Sequence, residues 1–237
     1  MLGSSGAWPI PRLGCDCAQC TSDDPRDHRL RPSLLVDRTT LVDAGPDCYH
    51  QLRRAGAVPA EVLLTHDHYD HSLGLHTLAK LGRVPLHLTR DCEQGLRQIF
   101  PRLDFRILHM TPGVKIELEG GGIAQPFDVP HSENSRTVAF RFTSPTGGTL
   151  VYVPDMAAEP TSKLARGADV VMLDGSARDK RQGGHMPMAE SVELLKRLKA
   201  GRVIYTHIGH RTGTHAELEA FLAGRAEVAY DGMVVDL

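Results

Sequence analysis

Residues 65–71 read THDHYDH and follow directly on the apolar run Val62-Leu63-Leu64. His66, His68, Asp70 and His71 therefore stand just past the end of a predicted buried strand. Neutral imidazoles and carboxylates are the usual ligands of borderline divalent cations such as zinc, iron and manganese, so the segment reads as a metal site. One helical face cannot gather these side chains, because at about 100° per residue they spread over roughly 200° of arc. They converge only if a loop wraps round the ions and a helix starts near Asp70. A polar turn with unrelated histidines is the plain alternative, and the density of donors after a strand speaks against it.

A chain of 237 residues with 41% hydrophobic content can bury a substantial core as one α/β domain, taken here as residues 1–237. The formal net charge is -2 with neutral histidines, and no long charge run occurs, so bulk charge gives no case for binding nucleic acid or an anionic membrane. The opening MLGSSGAWPIPRLG has neither a charged n-region nor a continuous apolar h-region. No segment approaches the roughly 18 apolar residues of a membrane span. The expectation is a cytoplasmic protein.

Three of the five cysteines fall in GCDCAQC, residues 14–20. Cys15, Cys17 and Cys20 can aim three thiolates at one ion, and tetrahedral structural zinc commonly takes three cysteines and a histidine, so a zinc-binding loop over about 13–22 is expected, with its fourth ligand from elsewhere. A reduced thiol cluster or a redox pair stays open as the alternative. Cys48 and Cys92 stand alone in helical contexts and read as small buried hydrophobes.

Strands and helices alternate along the chain, with no internal repeat. Strands are predicted at 33–36, 39–43, 61–64, 85–88, 105–109, 114–118, 123–129, 136–143, 149–153, 169–173, 202–206, 226–230 and 233–236. Helical spacing covers 46–55, 71–81, 90–99, 187–199 and 213–223. Strands in both halves with helices between them point to two sheets packed face to face and covered by helices, not to a single Rossmann sheet. Four more donors follow strands: His131 after FDVP, Asp155 after LVYVP, His207 after VIYT, and His185 in the loop QGGHMP. Each alone is weak; their recurrence is not.

His66, His68, Asp70 and His71 match the HxHxDH signature, and the chain resembles the metallo-β-lactamase superfamily nearly end to end. The resemblance implies an αββα four-layer sandwich with a dinuclear site. It assigns His66, His68 and His131 to one metal and Asp70, His71 and His207 to the second, with Asp155 bridging both. Asp43 in TLVDAG looks like that family's carboxylate supporting the metal-binding loop.

LGSSGAWPIPRLGCDCAQC is similar to the opening of the phosphodiesterases that accompany carbon-phosphorus lyase. That resemblance implies a structural zinc on Cys15, Cys17, Cys20 and His210, the last within THIGH, three residues beyond His207. It matches His185 to a histidine near the substrate that acts as general acid or holds a phosphate oxygen. It implies a small phosphodiester substrate of the cyclic ribose-phosphate type and a homodimer. Two departures stand out: LGSSG lacks the strand that normally precedes it, so that either the first sheet lacks an edge or the start is truncated, and the bridging aspartate lies in VPDM rather than Ser-Asp-Thr. The pyrroloquinoline quinone biosynthesis branch shares a similar cysteine opening and the GHMP segment, which keeps an iron-dependent oxygenase-like protein in view, as well as a non-catalytic metal-binding or ligand-binding module. The full donor set favours hydrolysis. Two ions, zinc, manganese or iron, about 3.5–4 Å apart would provide a bridging hydroxide to attack phosphorus, with Asp70 and His185 as the catalytic side chains. Arg178, Lys180 and Arg181 precede His185 and are candidates for meeting a second phosphate, although a solvated surface loop is the favoured reading.

Overall fold

The computed structural model describes residues 1–82, 84–102, 104–132 and 136–237. Its first sheet contains β1 (Leu34–Val36), β2 (Thr40–Val42), β3 (Glu61–Leu63), β4 (Pro85–Leu88) and β5 (Arg106–His109), in that spatial order. Only the β1–β2 pair is antiparallel in this sheet; the other described pairs are parallel. The second sheet contains β6 (Ile116–Glu117), β7 (Ile123–Val129), β8 (Thr137–Thr143), β9 (Thr149–Val153), β10 (Val170–Asp174), β11 (Arg202–Thr206) and β12 (Glu227–Val228), neighbours following chain order. It is antiparallel from β6 to β9 and parallel from β9 to β12.

Period-two alternation builds the layers, because successive strand residues face opposite sides of a sheet. Leu150, Tyr152, Val170, Met172 and Ile204 point inward with Phe140, Phe142, Val42 and Leu63, and so fill the space between the sheets. Their neighbours Val151, Val153, Val171, Leu173 and Val203 face outward. There they pack beneath α5 (Met188–Ser191), α6 (Leu195–Leu198) and α7 (His215–Leu222), through Leu194, Leu198, Leu218 and Leu222 among others. On the other sheet Leu41, Val62 and Leu64 face α1 (Cys48–Ala55), α3 (Leu75–Leu78) and α4 (Arg90–Ile99). The result is an αββα sandwich, each fully buried aliphatic or aromatic side chain contributing roughly 1.5–3 kcal/mol. Cys48 and Cys92 are buried in the outer layer, as expected.

Several expectations need correction. The helix expected over 71–81 is broken into α2 (Tyr69–Ser72), α3 and a 3-10 turn at Ala79–Leu81. The break comes at Gly74, whose amide donates to Ala44 O at 2.8 Å and whose missing side chain lets Gly45 approach: a Cβ there would stand 2.0 Å from Gly45 O. Residues 233–236 form no strand, because the preceding Gly232 pairs with Met1 instead of a neighbouring ladder. The edge beside β1 is not bare: Leu2 and Gly3 donate to Ser33 O, and Ser33 returns a bond to Gly3 O. The strands expected at 114–118 and 226–230 shrink to two residues each, and 187–199 folds as α5, a 3-10 turn and α6.

Candidate metal centre

The backbone gathers the donors at one edge of the sandwich. β7, β9, β10 and β11 run in the same direction, so His131, Asp155, Asp174 and His207, at or just past their C-terminal ends, face one edge of the second sheet. Asp43 and His66 follow β2 and β3 in the first sheet. The loop after β3 adds His68, and α2 adds Asp70 and His71; α2 begins at Tyr69, one residue before the position expected.

All seven expected ligands converge. His66, His68 and His131 form one cluster, Asp70, His71 and His207 another, and Asp155 joins His66 and His71 in a third. Asp155 Oδ1 lies 3.5 Å from His131 Nε2 and 3.4 Å from His207 Nε2, while its Oδ2 lies 3.1 Å from His71 Nε2. It thus stands between the two clusters. Asp70 Oδ2 is 3.3 Å from both His71 Nε2 and His207 Nε2. His68 presents Nδ1, 3.4 Å from His131 Nε2, whereas the other imidazoles turn Nε2 inward.

The reason for that orientation is on the far side of each ring. His71 Nδ1 donates to Asp43 Oδ2 at 2.8 Å, and the same carboxylate receives the Thr65 amide at 2.8 Å. Thr65 Oγ1 meets His66 Nδ1 at 2.9 Å, Gly184 O accepts from His131 Nδ1 at 2.9 Å, and Ser176 Oγ meets His207 Nδ1 at 2.5 Å. Partners of this kind fix the tautomer and aim the remaining lone pair. Asp43 and His207 both hold left-handed backbone, with φ of 61° and 55°, a strained conformation for residues other than glycine.

Asp174 and Ser176 escaped the sequence reading. Asp174 is fully buried at the end of β10, receives the amides of Met156 at 2.9 Å and Ser176 at 2.8 Å, and accepts from His185 Nδ1 at 2.7 Å. The available signal was Asp174-Gly175 after an apolar strand, a pattern like that of Asp43. His185 stands 3.9 Å from Asp155 Oδ1, its ring 4.8 Å from that of His131. Burial opposes a charge on His185, but Asp174 outweighs it and raises the imidazole to about 9. Of the basic residues before His185, Arg178 is paired with Asp179, and Arg181 with Glu190 and Ala157 O, in keeping with a surface loop.

The donor chemistry fits divalent cations. With its Nδ1–H committed to Asp43, His71 turns Nε2 toward His207 Nε2 at 3.3 Å and toward two carboxylates, an arrangement that only positive charge, a proton or a cation, stabilises. Burial opposes charge on His71, yet Asp70, Asp155 and Asp43 hold it well above the ordinary imidazole value. Burial likewise opposes ionisation of Asp70 and Asp155, and His71 and His207 override it and hold both carboxyls well below the usual range. Burial, followed by the charge of His71, keeps His66 neutral. Among the described residues, the buried atoms His66 Nε2 and Asp155 Oδ2 find no hydrogen-bond partner, as befits atoms shaped for a metal.

A second cluster lies near the first. Cys15, Cys17, Cys20 and His210 bring their ligand atoms within 4.8 Å of one another, with Cys15 Sγ 3.1 Å and Cys17 Sγ 3.5 Å from His210 Nε2. That span suits tetrahedral zinc. A cleft of about 1030 Å³ opens beside His68 and Asp70. Another cavity, of about 820 Å³, lies at the opposite end of the sandwich near the β1–β2 turn and holds none of these donors.

A family model described as the β-lactamase superfamily domain matches residues 38–208. The crystal structure of a diphosphatase from the PhnP family is 33% identical and superposes with a TM-score of 0.86, covering 98% of this chain and 93% of that one. The chain belongs to the PhnP family of the β-lactamase superfamily. At that level it is a metal-dependent hydrolase. Zinc-bound PqqB from Methylobacterium extorquens, at 21% identity and a TM-score of 0.83 over 100% of this chain and 98% of that one, shares the fold. A Porphyromonas gingivalis protein named octanoyltransferase is 23% identical over 251 residues, 98% of this chain, and the chain spans half the length of that relative. No helix among the described residues is long and apolar enough to cross a membrane.

Proposed function

We propose that the chain is a phosphodiesterase acting on a small phosphodiester, with cyclic ribose phosphates as the first class to test. The observation that carries this reading is His185, held by Asp174 at 2.7 Å beside the converged histidine and aspartate donors. The likeness to a diphosphatase supports phosphoryl chemistry. His66, His68 and His131 would hold one cation and Asp70, His71 and His207 the other, with Asp155 reaching both. When bound, such cations supply Lewis acidity and lower the pKa of water toward neutrality.

The chain's own groups do the rest. Asp43, Thr65, Ser176 and Gly184 O lock the ligand rings, so the donor set is organised before substrate arrives. His185, with Nδ1–H committed to Asp174, carries a second proton on Nε2 and delivers it to the departing oxygen as that oxygen gains charge. Cys15, Cys17, Cys20 and His210 would hold a separate structural zinc, tying the N-terminal loop to the segment that carries His207.

The test is elemental analysis of the purified protein followed by a phosphodiester panel that includes ribose cyclic phosphates, supplied with manganese or zinc. Product release with a ribose cyclic phosphate is the expected result. No release across the panel would sink the reading.

A further inference from the structure

The turn that carries His207 is held in a conformation it would not choose alone. His207 and Arg211 both have left-handed backbone, with φ of 55° and 75°, although neither is glycine. Between them Gly209 packs so closely on Ser176 that a Cβ would stand 1.8 Å from Ser176 O, and Ser176 Oγ is the group that meets His207 Nδ1 at 2.5 Å. A shift of this turn therefore moves His207 and its orienting partner together. The N-terminal segment holds the first half of the turn: Ile208 N donates to Ser4 O at 2.7 Å, and Gly6 N donates to Ile208 O at 3.0 Å.

The second half is held by Gln19, a residue of the cysteine loop. Its side chain is buried, unlike those of Asp16 and Ala18 in the same loop, and a buried amide needs a partner for its oxygen and for its nitrogen. Gln19 Oε1 accepts from Arg211 N at 2.7 Å, and Gln19 Nε2 donates to Gly209 O at 3.4 Å. One amide thus spans the backbone on both sides of His210. Among the described residues the Arg211 amide finds no other acceptor, so losing Gln19 leaves it unpaired. Gln19 itself stands between Cys17 and Cys20, in a turn closed by Cys20 N donating to Cys17 O at 2.9 Å. The cysteine cluster and the turn that carries His207 are therefore joined by a side chain that belongs to neither donor set.

We propose that Gln19 is a positioning residue of the hydrolytic metal centre, acting through the 207–211 turn to hold His207 where a cation can use it. Order in the cysteine loop is thereby coupled to cation affinity at the centre. The proposal rests on the assignment of His207 to that centre, and on the cysteine zinc for what keeps the loop in order.

The test is a manganese titration of protein from which a mild chelator has removed loosely held ions. Free manganese is read by electron paramagnetic resonance, and zinc content by elemental analysis. Gln19→Leu should keep the zinc content of the unsubstituted chain and bind manganese about tenfold more weakly. With cobalt in place of manganese, its d–d absorption bands should change in Gln19→Leu. Gln19→Glu keeps the acceptor for Arg211 N and should recover most of the affinity. Leu52→Ala, a core truncation beneath the other sheet, should leave it unchanged. Unchanged manganese affinity in Gln19→Leu, or an equal loss in Leu52→Ala, overturns the proposal. If the unsubstituted chain holds no zinc on its cysteines while Gln19→Leu still weakens manganese binding, the zinc reading falls and the positioning role stands.

Discussion

Asp43 and Asp174 are buried carboxylates at the ends of parallel strands, and each accepts an imidazole Nδ1–H, but they serve different rings. Asp43 holds His71, a proposed metal ligand, whereas Asp174 holds His185, the proposed proton donor. Removing their charges should therefore give different kinetic signatures. Asp43→Asn is expected to weaken metal affinity by about 10–100-fold, read by competition with a chelator, and added metal should restore turnover. Asp174→Asn should leave metal content intact and lower kcat by about 10–100-fold on a substrate with a poor leaving group, and excess metal should not restore it. An unchanged kcat in Asp174→Asn would end the assignment of His185 as proton donor. The convergence of the seven proposed ligands was legible in the sequence because four of them crowd into six residues and the rest follow strands. Asp174 was not, because VVMLDG reads equally as a strand ending in an ordinary turn, and its partner lies eleven residues away.

At the scale of elements, strand positions were readable from apolar runs, while the helix expected over 71–81 failed on a contact that no local pattern reveals. Ala44 N donates to His71 O, Gly74 N donates to Ala44 O, and Gly45 and Gly74 meet backbone to backbone. Long-range docking of the loop after β2 overrides the helical period. Gly74→Ala would place its Cβ 2.0 Å from Gly45 O and force α2 and α3 away from that loop. The expected cost is about 1–3 kcal/mol, measured by denaturant unfolding, together with weaker metal retention. Glu61 is a second element-scale tie: Oε1 accepts from Thr40 Oγ1 at 2.7 Å and from the Glu119 amide at 2.9 Å, and Oε2 lies 3.2 Å from His87 Nε2, so β3 is linked to the turn after β6 in the facing sheet. Burial pushes its carboxyl up, but the bonds from His87, Thr40 and Glu119 override it and lower it overall. A lowered folded-state pKa means stability that is present above the unfolded value of about 4.3 and lost as pH falls through the folded value. Thermal melts should show a shallower acid-side decline for Glu61→Gln than for the unsubstituted chain.

Across the whole molecule, the two-sheet arrangement was legible because strands fall in both halves of the chain with helices between them, whereas the absence of the strand expected at 233–236 was not, since an apolar run does not say whether a neighbour is free to pair. The donors come from both sheets, so cation binding is coupled to holding the sheets together. Chelation should lower Tm, and saturating metal should raise stability by about 2.7 kcal/mol at 100 times Kd. A Tm insensitive to chelator would show that the sheets hold without the ions. The same division of donors has a consequence for biosynthesis. THDHYDH emerges early, but His131, Asp155 and His207 follow only after β7, β9 and β11. On the proposed ligand assignment, a nascent chain offers a passing cation only a partial grip, and the choice of metal belongs to the finished fold, made from whatever the compartment supplies once the last of these donors has been translated.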